Sequence, residues 1–374
     1  MLSNADIVCF ANDWTMDPTS KHHLLKRFAE HNRVLWVEAS GMRRPNLTSA
    51  SDLRRIATKV KGFWRPARQA LPTLHTYSPP AVPLPSSAMA SAINAALYRQ
   101  TLTREMRRAG MGTSPILWVY VPHVAPMIRR LDRSYLLYHC VDKWSAFDDY
   151  DAEVMERCER EICERADLVI ASAEDLAERC RRYAPHVHYV PHGVDHAHFA
   201  RALAPEALPA DLAAIPAPRV GFFGLIHEWV DIDLIGRLAD ALPYQFVLIG
   251  SSNQDLTALQ ARANVHILGR RPFAELPAYS RGFDAAIVPF RINELTVSVN
   301  PIKLREYAAA GLPIVSTPLP EVVRCSDIAR TADSFDDWVR ELRAAVGDGS
   351  TPAWRAEQSA RVLSSDWSAV CEHI

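Results

Sequence analysis

The sequence predicts an α/β protein built from two successive doubly wound units, each a parallel sheet wrapped by helices. Short Val-, Ile- and Leu-rich runs alternate with longer helix-period stretches from end to end, the pattern of parallel strands buried on both faces. That series runs once, pauses in an Ala- and Pro-rich stretch, and runs again. The length of 374 residues suits two domains better than one.

The first series places strands at Asp6–Phe10, Val34–Glu38, Ile116–Val121, Tyr135–Cys140, Leu168–Ala171 and Val187–Val190. Its clearest helices are Ala152–Ala166 and Ala173–Tyr183. The second series places strands at Val220–Phe223, Phe246–Ile249, Val265–Leu268, Ala285–Pro289 and Ile314–Ser316. The expected organisation is therefore a first unit over 1–199, a linker over 200–218, and a second unit over 219–350. A last helical stretch, 351–374, carries Trp354 and Trp367; it either returns to the first unit or closes the second sheet. Doubly wound sheets bind ligands beyond the carboxyl ends of their strands, so a cleft between two such sheets is the expected site.

Composition narrows the function classes. Charged residues are 23% with a formal net charge of −1, which supplies no global attraction to nucleic acid. No apolar run reaches the roughly 18 residues of a membrane-spanning helix, and the first residues lack the pattern of a signal peptide. The seven cysteines have no C-x-x-C spacing and read as reduced thiols of a cytoplasmic protein. One segment breaks the rhythm. Met42–Arg68 carries eight basic residues, including Arg43, Arg44 and Lys59, against the single acid Asp52, with Phe63 and Trp64 inside it. Such a stretch suits the anionic inner face of a membrane or an acidic acceptor; the alternative is a solvated helix face.

The most informative chemistry lies in Asn300-Pro301-Ile302-Lys303-Leu304-Arg305-Glu306-Tyr307, followed by Gly311-Leu312-Pro313. Pro301 opens a helix, and Lys303 and Glu306 fall on one face near its positive end. Helix end plus lysine suits a diphosphate, and a carboxylate one turn later suits ribose hydroxyls. A surface ion pair between the two is the competing explanation.

The N-P-x-K-x-x-E-Y-x-A-x-G-x-P pattern resembles the donor-site helix of GT-B glycosyltransferases that build bacterial surface polysaccharides. The chain is similar to the teichuronic-acid type and, more distantly, to the xanthan glucuronosyltransferase. Supporting segments occur in the family's order: Glu164–Ser172, Val190–Asp195, Phe222–Leu234, Val247–Ser251 and His266–Arg270. The resemblance implies a GT-B fold, two Rossmann-like domains facing across a cleft, and a nucleotide-sugar donor, uridine-type, held by the second domain. Gly224, Ile226 and His227 then form the loop at the diphosphate, with Gly250 nearby and Arg270 beside the nucleobase. Phe290, Asn300, Ile302, Lys303 and Glu306 complete the implied donor set. Retaining relatives carry a first glutamate where this chain has Ser298, which leaves the donor sugar and stereochemistry open; Glu294 is a possible substitute. The basic pair that follows the first loop in relatives is replaced by Glu228-Trp229 and Val230-Asp231, and Asp231 reads better as a helix N-cap.

In the first half, Asp142 follows an apolar strand at a position matching the proposed base of the xanthan enzyme; a turn or cap is the plainer role. His123, at the preceding strand end, is a second catalytic candidate or a structural histidine. Asp13, Trp14, Lys21 and His22 border the expected cleft and are candidates for acceptor binding, with Asp13 or Ser20 as possible caps. His192, His196 and His198 mimic metal spacing without completing a ligand set. Asp148, Asp149 and Asp151 precede a helix and read as capping acids. No metal or other cofactor is expected; the nucleotide sugar is a co-substrate. The expected partners are that donor and a glycan, glycolipid or lipid-linked acceptor. A same-fold nucleotide-sugar epimerase and a non-catalytic nucleotide-sugar-binding protein are the rivals.

Overall fold

The computed structural model describes residues 2–39, 66–80, 88–148, 150–348 and 351–374. The chain divides into an N-terminal unit, residues 1–191 with 371–374, and a C-terminal unit, residues 192–370.

The N-terminal unit contains, among the described residues, an eight-stranded sheet: β1 (Asp6–Ala11), β2 (Arg33–Glu38), β3 (Arg68–Leu71), β4 (Leu74–Tyr77), β5 (Ile116–Val119), β6 (Tyr135–Cys140), β7 (Leu168–Ala171) and β8 (Val187–Tyr189). The spatial order is β3-β4-β2-β1-β5-β6-β7-β8, with β3 alone antiparallel to its neighbour. The direction of winding reverses between β1 and β5, so the crevice for a ligand lies beyond the carboxyl ends of those strands. Central strands are apolar on both faces because helices cover both. The helix Ala152–Arg165 shows why a sequence stretch of this kind winds: Met155, Cys158 and Ile162 recur at helical spacing and are buried, while Asp151 accepts a hydrogen bond from Val154 N at 3.2 Å as N-cap.

The C-terminal unit contains, among the described residues, six parallel strands: β9 (Arg219–Phe223), β10 (Gln245–Ile249), β11 (Val265–Gly269), β12 (Ala285–Val288), β13 (Ile314–Ser316) and β14 (Arg330–Thr331). Their order, β11-β10-β9-β12-β13-β14, reverses between β9 and β12, and this is the second switch point. The helix Ile232–Ala241 is capped as the sequence indicates, Asp231 accepting from Leu234 N at 3.0 Å. Residues 192–218 belong to this unit, and Ala202, Leu212 and Ile215 within them are buried in its core. The helix Trp367–His373 closes the chain; Trp367 is buried and its amide donates to Val194 O at 3.0 Å.

Three strands went beyond the sequence pattern. β3 and β4 are short and carry Arg68, Gln69, His75 and Thr76, so no apolar run marks them. β14 has two residues. The basic Met42–Arg68 stretch lies outside the described residues up to residue 65, as does Asp149.

Candidate active site

The C-terminal site is assembled on three glycines at strand ends. Gly224 follows β9 at φ 133°, Gly250 follows β10 at φ 154°, and Gly269 ends β11 at φ 71°. These are conformations that L side chains rarely adopt. The approach of backbone to backbone is equally strict, since a Cβ on residue 250 would collide with the Gly224 carbonyl oxygen. Gly224 N donates to Ile249 O at 2.8 Å and Gly250 N to Gly269 O at 3.0 Å, tying the three ends into one shelf of main chain.

Above that shelf stands the helix Ile302–Ala309. Pro301 precedes it and no side chain caps it, so its first amides remain available to an anion. Its C-terminus is closed by Gly311 at φ 73°. Lys303 reaches back over Gly224, with Nζ 6.0 Å from the centre of the Phe222 ring. Lys303 and Glu306 are both half-buried and each acts on the charge of the other, so they are not a solvated surface pair. Burial lowers the Lys303 ammonium from its ordinary range and raises the Glu306 carboxyl to about 7; each is partly countered by the other. Tyr307, which sequence reasoning passed over, holds the end of β9 by accepting from Phe223 N at 3.0 Å.

The remaining donor candidates divide by environment. The Asn300 side chain is spent inside the protein: its oxygen accepts from Arg305 at 2.8 Å and its amide donates to Glu321 at 2.9 Å, so it secures the helix start from behind. Ile226 and Phe290 are buried in the core, and Ile302 is half-buried at the first position of the helix. Val230 and Phe290 form an antiparallel bridge joining the loops after β9 and β12. His227 stacks on Trp229 at 4.3 Å, with Nε2 2.5 Å from Asn253 Nδ2. Arg270 is exposed at the end of β11, whereas Arg271 is bound to Asp211 and Tyr279 at 2.7 Å each. Ser298 is fully buried and Glu294 exposed.

The N-terminal cluster lies beyond β1, β5 and β6. Lys21, in the helix Ser20–Ala29, extends its ammonium between Tyr120 (5.6 Å to the ring centre) and Trp144 (5.2 Å). Burial raises the Asp142 carboxyl to about 6, and the Lys21 charge opposes that rise. His123 is buried and donates from Nε2 to Ala39 O at 3.2 Å; burial holds it down to about 4, so it is neutral with Nδ1 unpartnered. A ring contact joins His123 to Tyr150 (6.5 Å), and Tyr150 to Trp144 (5.8 Å). His123 therefore shares a ring cluster with Trp144, two residues beyond Asp142. Thr19 N and Thr19 Oγ1 both lie 3.1 Å from His22 Nδ1, so the cap of this helix is a Thr19–His22 box and Ser20 is its first residue. Trp14 packs on His22 at 5.2 Å and on Trp36 at 4.9 Å. Asp13 closes a turn instead of capping a helix, accepting from Thr15 N and Oγ1 at 2.8 Å.

The imitation metal sites resolve into structure. His196 bonds Ser359, and His198 stacks on Phe273 at 4.4 Å while donating to its carbonyl. No group of three or more potential ligands assembles among the described residues. No described helix is long and apolar enough to cross a membrane.

With this geometry in place, known proteins supply the context. Residues 217–348 match the family model described as glycosyl transferases group 1. A Bacillus subtilis protein, TuaH, described as a teichuronic acid biosynthesis glycosyltransferase, is 27% identical over 222 residues, 54% of this chain and 55% of that protein. The match thus spans little more than half the relative's length. Sucrose-phosphate synthase from Thermosynechococcus elongatus superposes with a TM-score of 0.70 at 14% identity, covering 99% of this chain and 97% of that one. Anabaena HepE, solved in complex with UDP-glucose, gives 0.66 at 13% identity over 99% and 98%. An E. coli trehalose-6-phosphate protein, solved with UDP-2-fluoro glucose, gives 0.67 at 12% identity over 99% and 98%. The chain has the GT-B fold, carries the group 1 glycosyl transferase region in its C-terminal unit, and resembles the teichuronic-acid type of bacterial glycosyltransferase.

Proposed function

We propose that the protein is a glycosyltransferase that moves a sugar from a uridine diphosphate donor to a hydroxyl of a glycan, glycolipid or lipid-linked acceptor in surface polysaccharide synthesis. The observation that carries the donor half is Lys303 lying over the Gly224 shelf at an uncapped helix start. An ammonium, free amides and a helix dipole all suit the charge that develops on a leaving diphosphate. Glu306, one turn on, takes ribose hydroxyls, and Arg270 borders the base. The uridine choice is supported by HepE, solved with UDP-glucose.

The N-terminal unit binds the acceptor in this scheme, through Asp13, Trp14, Lys21 and His22. Asp142 accepts the proton of the attacking hydroxyl; burial brings its carboxyl close to neutral, where a general base works best. His123, neutral and with Nδ1 open, is the alternative acceptor of that proton. The chemistry calls on no resident cofactor. A basic contact with an anionic membrane through 43–68 belongs to the same proposal and has its own test, co-sedimentation with anionic vesicles.

The donor assignment is tested by thermal stabilisation with UDP-, GDP-, dTDP- and ADP-glucose, because a ligand that binds the folded state alone raises its melting temperature. A shift with the UDP sugar alone, lost in Lys303→Ala, supports it. Equal or absent shifts in folded protein overturn it.

A further inference from the structure

Beyond the carboxyl ends of β1, β5 and β6 the N-terminal unit collects polar groups that the chain itself does not satisfy. Lys21 is 6% exposed, and among the described residues its ammonium meets the faces of Tyr120 and Trp144, 5.6 and 5.2 Å from the ring centres. Ring faces attract the charge but offer no lone pair, and an ammonium is all donor. The Asp142 carboxylate acts on it electrostatically without a hydrogen bond among the described residues. Trp144 adds a second donor, because its indole Nε1–H is buried without a partner on the ring that the ammonium covers. His123 supplies the opposite. With its proton on Nε2 toward Ala39 O, the neutral ring leaves a buried Nδ1 that can only accept.

All three sit at one end of the sheet. Lys21 lies in the first turn of the helix after β1, His123 follows β5, and Trp144 follows β6. Segments around the reversal of winding thus each deliver one unsatisfied group, at the place where doubly wound sheets take ligands. Buried polar atoms are ordinarily hydrogen-bonded, and leaving them unmade costs stability. Packing alone gives no reason to gather them.

A ligand that answers this set brings negative charge and lone pairs to the two donors, and a hydroxyl to the acceptor. A neutral sugar would leave the lysine charge unbalanced, whereas a carboxylate or phosphate accepts from both donors and cancels it. We propose that Lys21 and Trp144 form an oxyanion subsite, so that the acceptor is an acidic saccharide. Its carboxylate or phosphate lies on the ammonium and the indole N–H, and one of its hydroxyls donates to His123. This rests on the N-terminal unit being the acceptor side.

The test is calorimetric titration of the full chain, with UDP present, against glucuronic acid, glucose 6-phosphate and glucose. At least one acid should bind about tenfold tighter than glucose or better, the weight of a charge-assisted contact. Which acid does so separates a carboxylate from a phosphate. Lys21→Met should abolish the preference and leave glucose binding unchanged, while Lys21→Arg should keep most of it. Trp144→Phe retains the aromatic wall without the N–H and should weaken the acid alone. The Kd for UDP-glucose checks that each variant is folded. Equal binding of acids and glucose, no binding of either acid, or a preference that survives in Lys21→Met overturns the subsite. UDP release from UDP-glucose tests the underlying function separately. Acids that bind through Lys21 without accelerating release leave the subsite standing and remove the transferase reading. Release accelerated by glucose and by neither acid keeps the transferase and removes the subsite.

Discussion

The side chain of Lys303 occupies the space that a Cβ on residue 224 would need: the added carbon would lie 2.6 Å from Nζ and closer still to Cε. Glycine and lysine at these two positions, nearly eighty residues apart, are a single requirement.

Gly224→Ala therefore combines a backbone conformation unsuited to alanine with displacement of the lysine. Because the clash is with a flexible side chain, the fold should survive. Calorimetric titration with UDP-glucose should show affinity reduced at least about tenfold, consistent with loss of one charge-assisted contact of about 1.5–3 kcal/mol. Undiminished affinity would place the diphosphate elsewhere.

Glu306 gives a prediction with a sign. Its carboxyl is raised in the folded state to about 7, by burial first, so the folded protein binds the proton more tightly than the unfolded chain. Its contribution is present below the ordinary carboxyl range and is lost as pH rises through about 7. Glu306→Gln removes this dependence. Relative to wild type it should gain stability between pH 5 and pH 8, on the order of 2 kcal/mol, measured by urea denaturation. A constant difference across that range would show that the carboxyl is not perturbed.

Asp142→Asn is expected to leave the Kd for UDP-glucose unchanged and to lower turnover by about 100-fold or more, the usual weight of a positioned base. Its folded-state carboxyl is raised to about 6, so the same sign rule applies: the wild type loses stability relative to the asparagine variant as pH rises from about 4 to about 6. A weakened donor affinity in this variant would remove Asp142 from the acceptor side.

Two structural variants calibrate the others. Asp231→Ala deletes an N-cap and should cost about 1 kcal/mol in denaturant unfolding. Glu321→Ala leaves the buried Asn300 amide without the acceptor it holds at 2.9 Å and should cost about 1–3 kcal/mol. The second change should also loosen the start of the Ile302–Ala309 helix and weaken UDP-glucose binding, whereas the first should not.

The strands that carry the fold were legible because burial on both faces leaves long apolar signatures, as in Leu168–Ala171 and Ile314–Ser316, whose ends match the expected ones. β3 was not, since its place at the sheet edge asks for no apolar pattern. The helix Ile302–Ala309 was legible because the proline before it and the glycine after it mark its two ends. What sequence could not give was the direction of individual side chains. Asn300 looked like a ligand contact and instead turns inward to Arg305 and Glu321. Tyr120 and Trp144 carried no signal at all, because a cage for Lys21 is made by residues of three segments far apart in the chain. Asp13, expected as an acceptor contact or a helix cap, instead accepts from Thr15 in a short turn, a role the same side chain serves equally well.

The shelf formed by Gly224, Gly250 and Gly269 presents main chain alone, and main chain has no alphabet to vary. On the donor reading proposed above, variation in donor choice would fall to the walls: the loop 225–231, the loop 252–254 with its His227–Asn253 contact, and the segment 290–299. Libraries aimed at donor choice should be built there, with the three glycines left untouched.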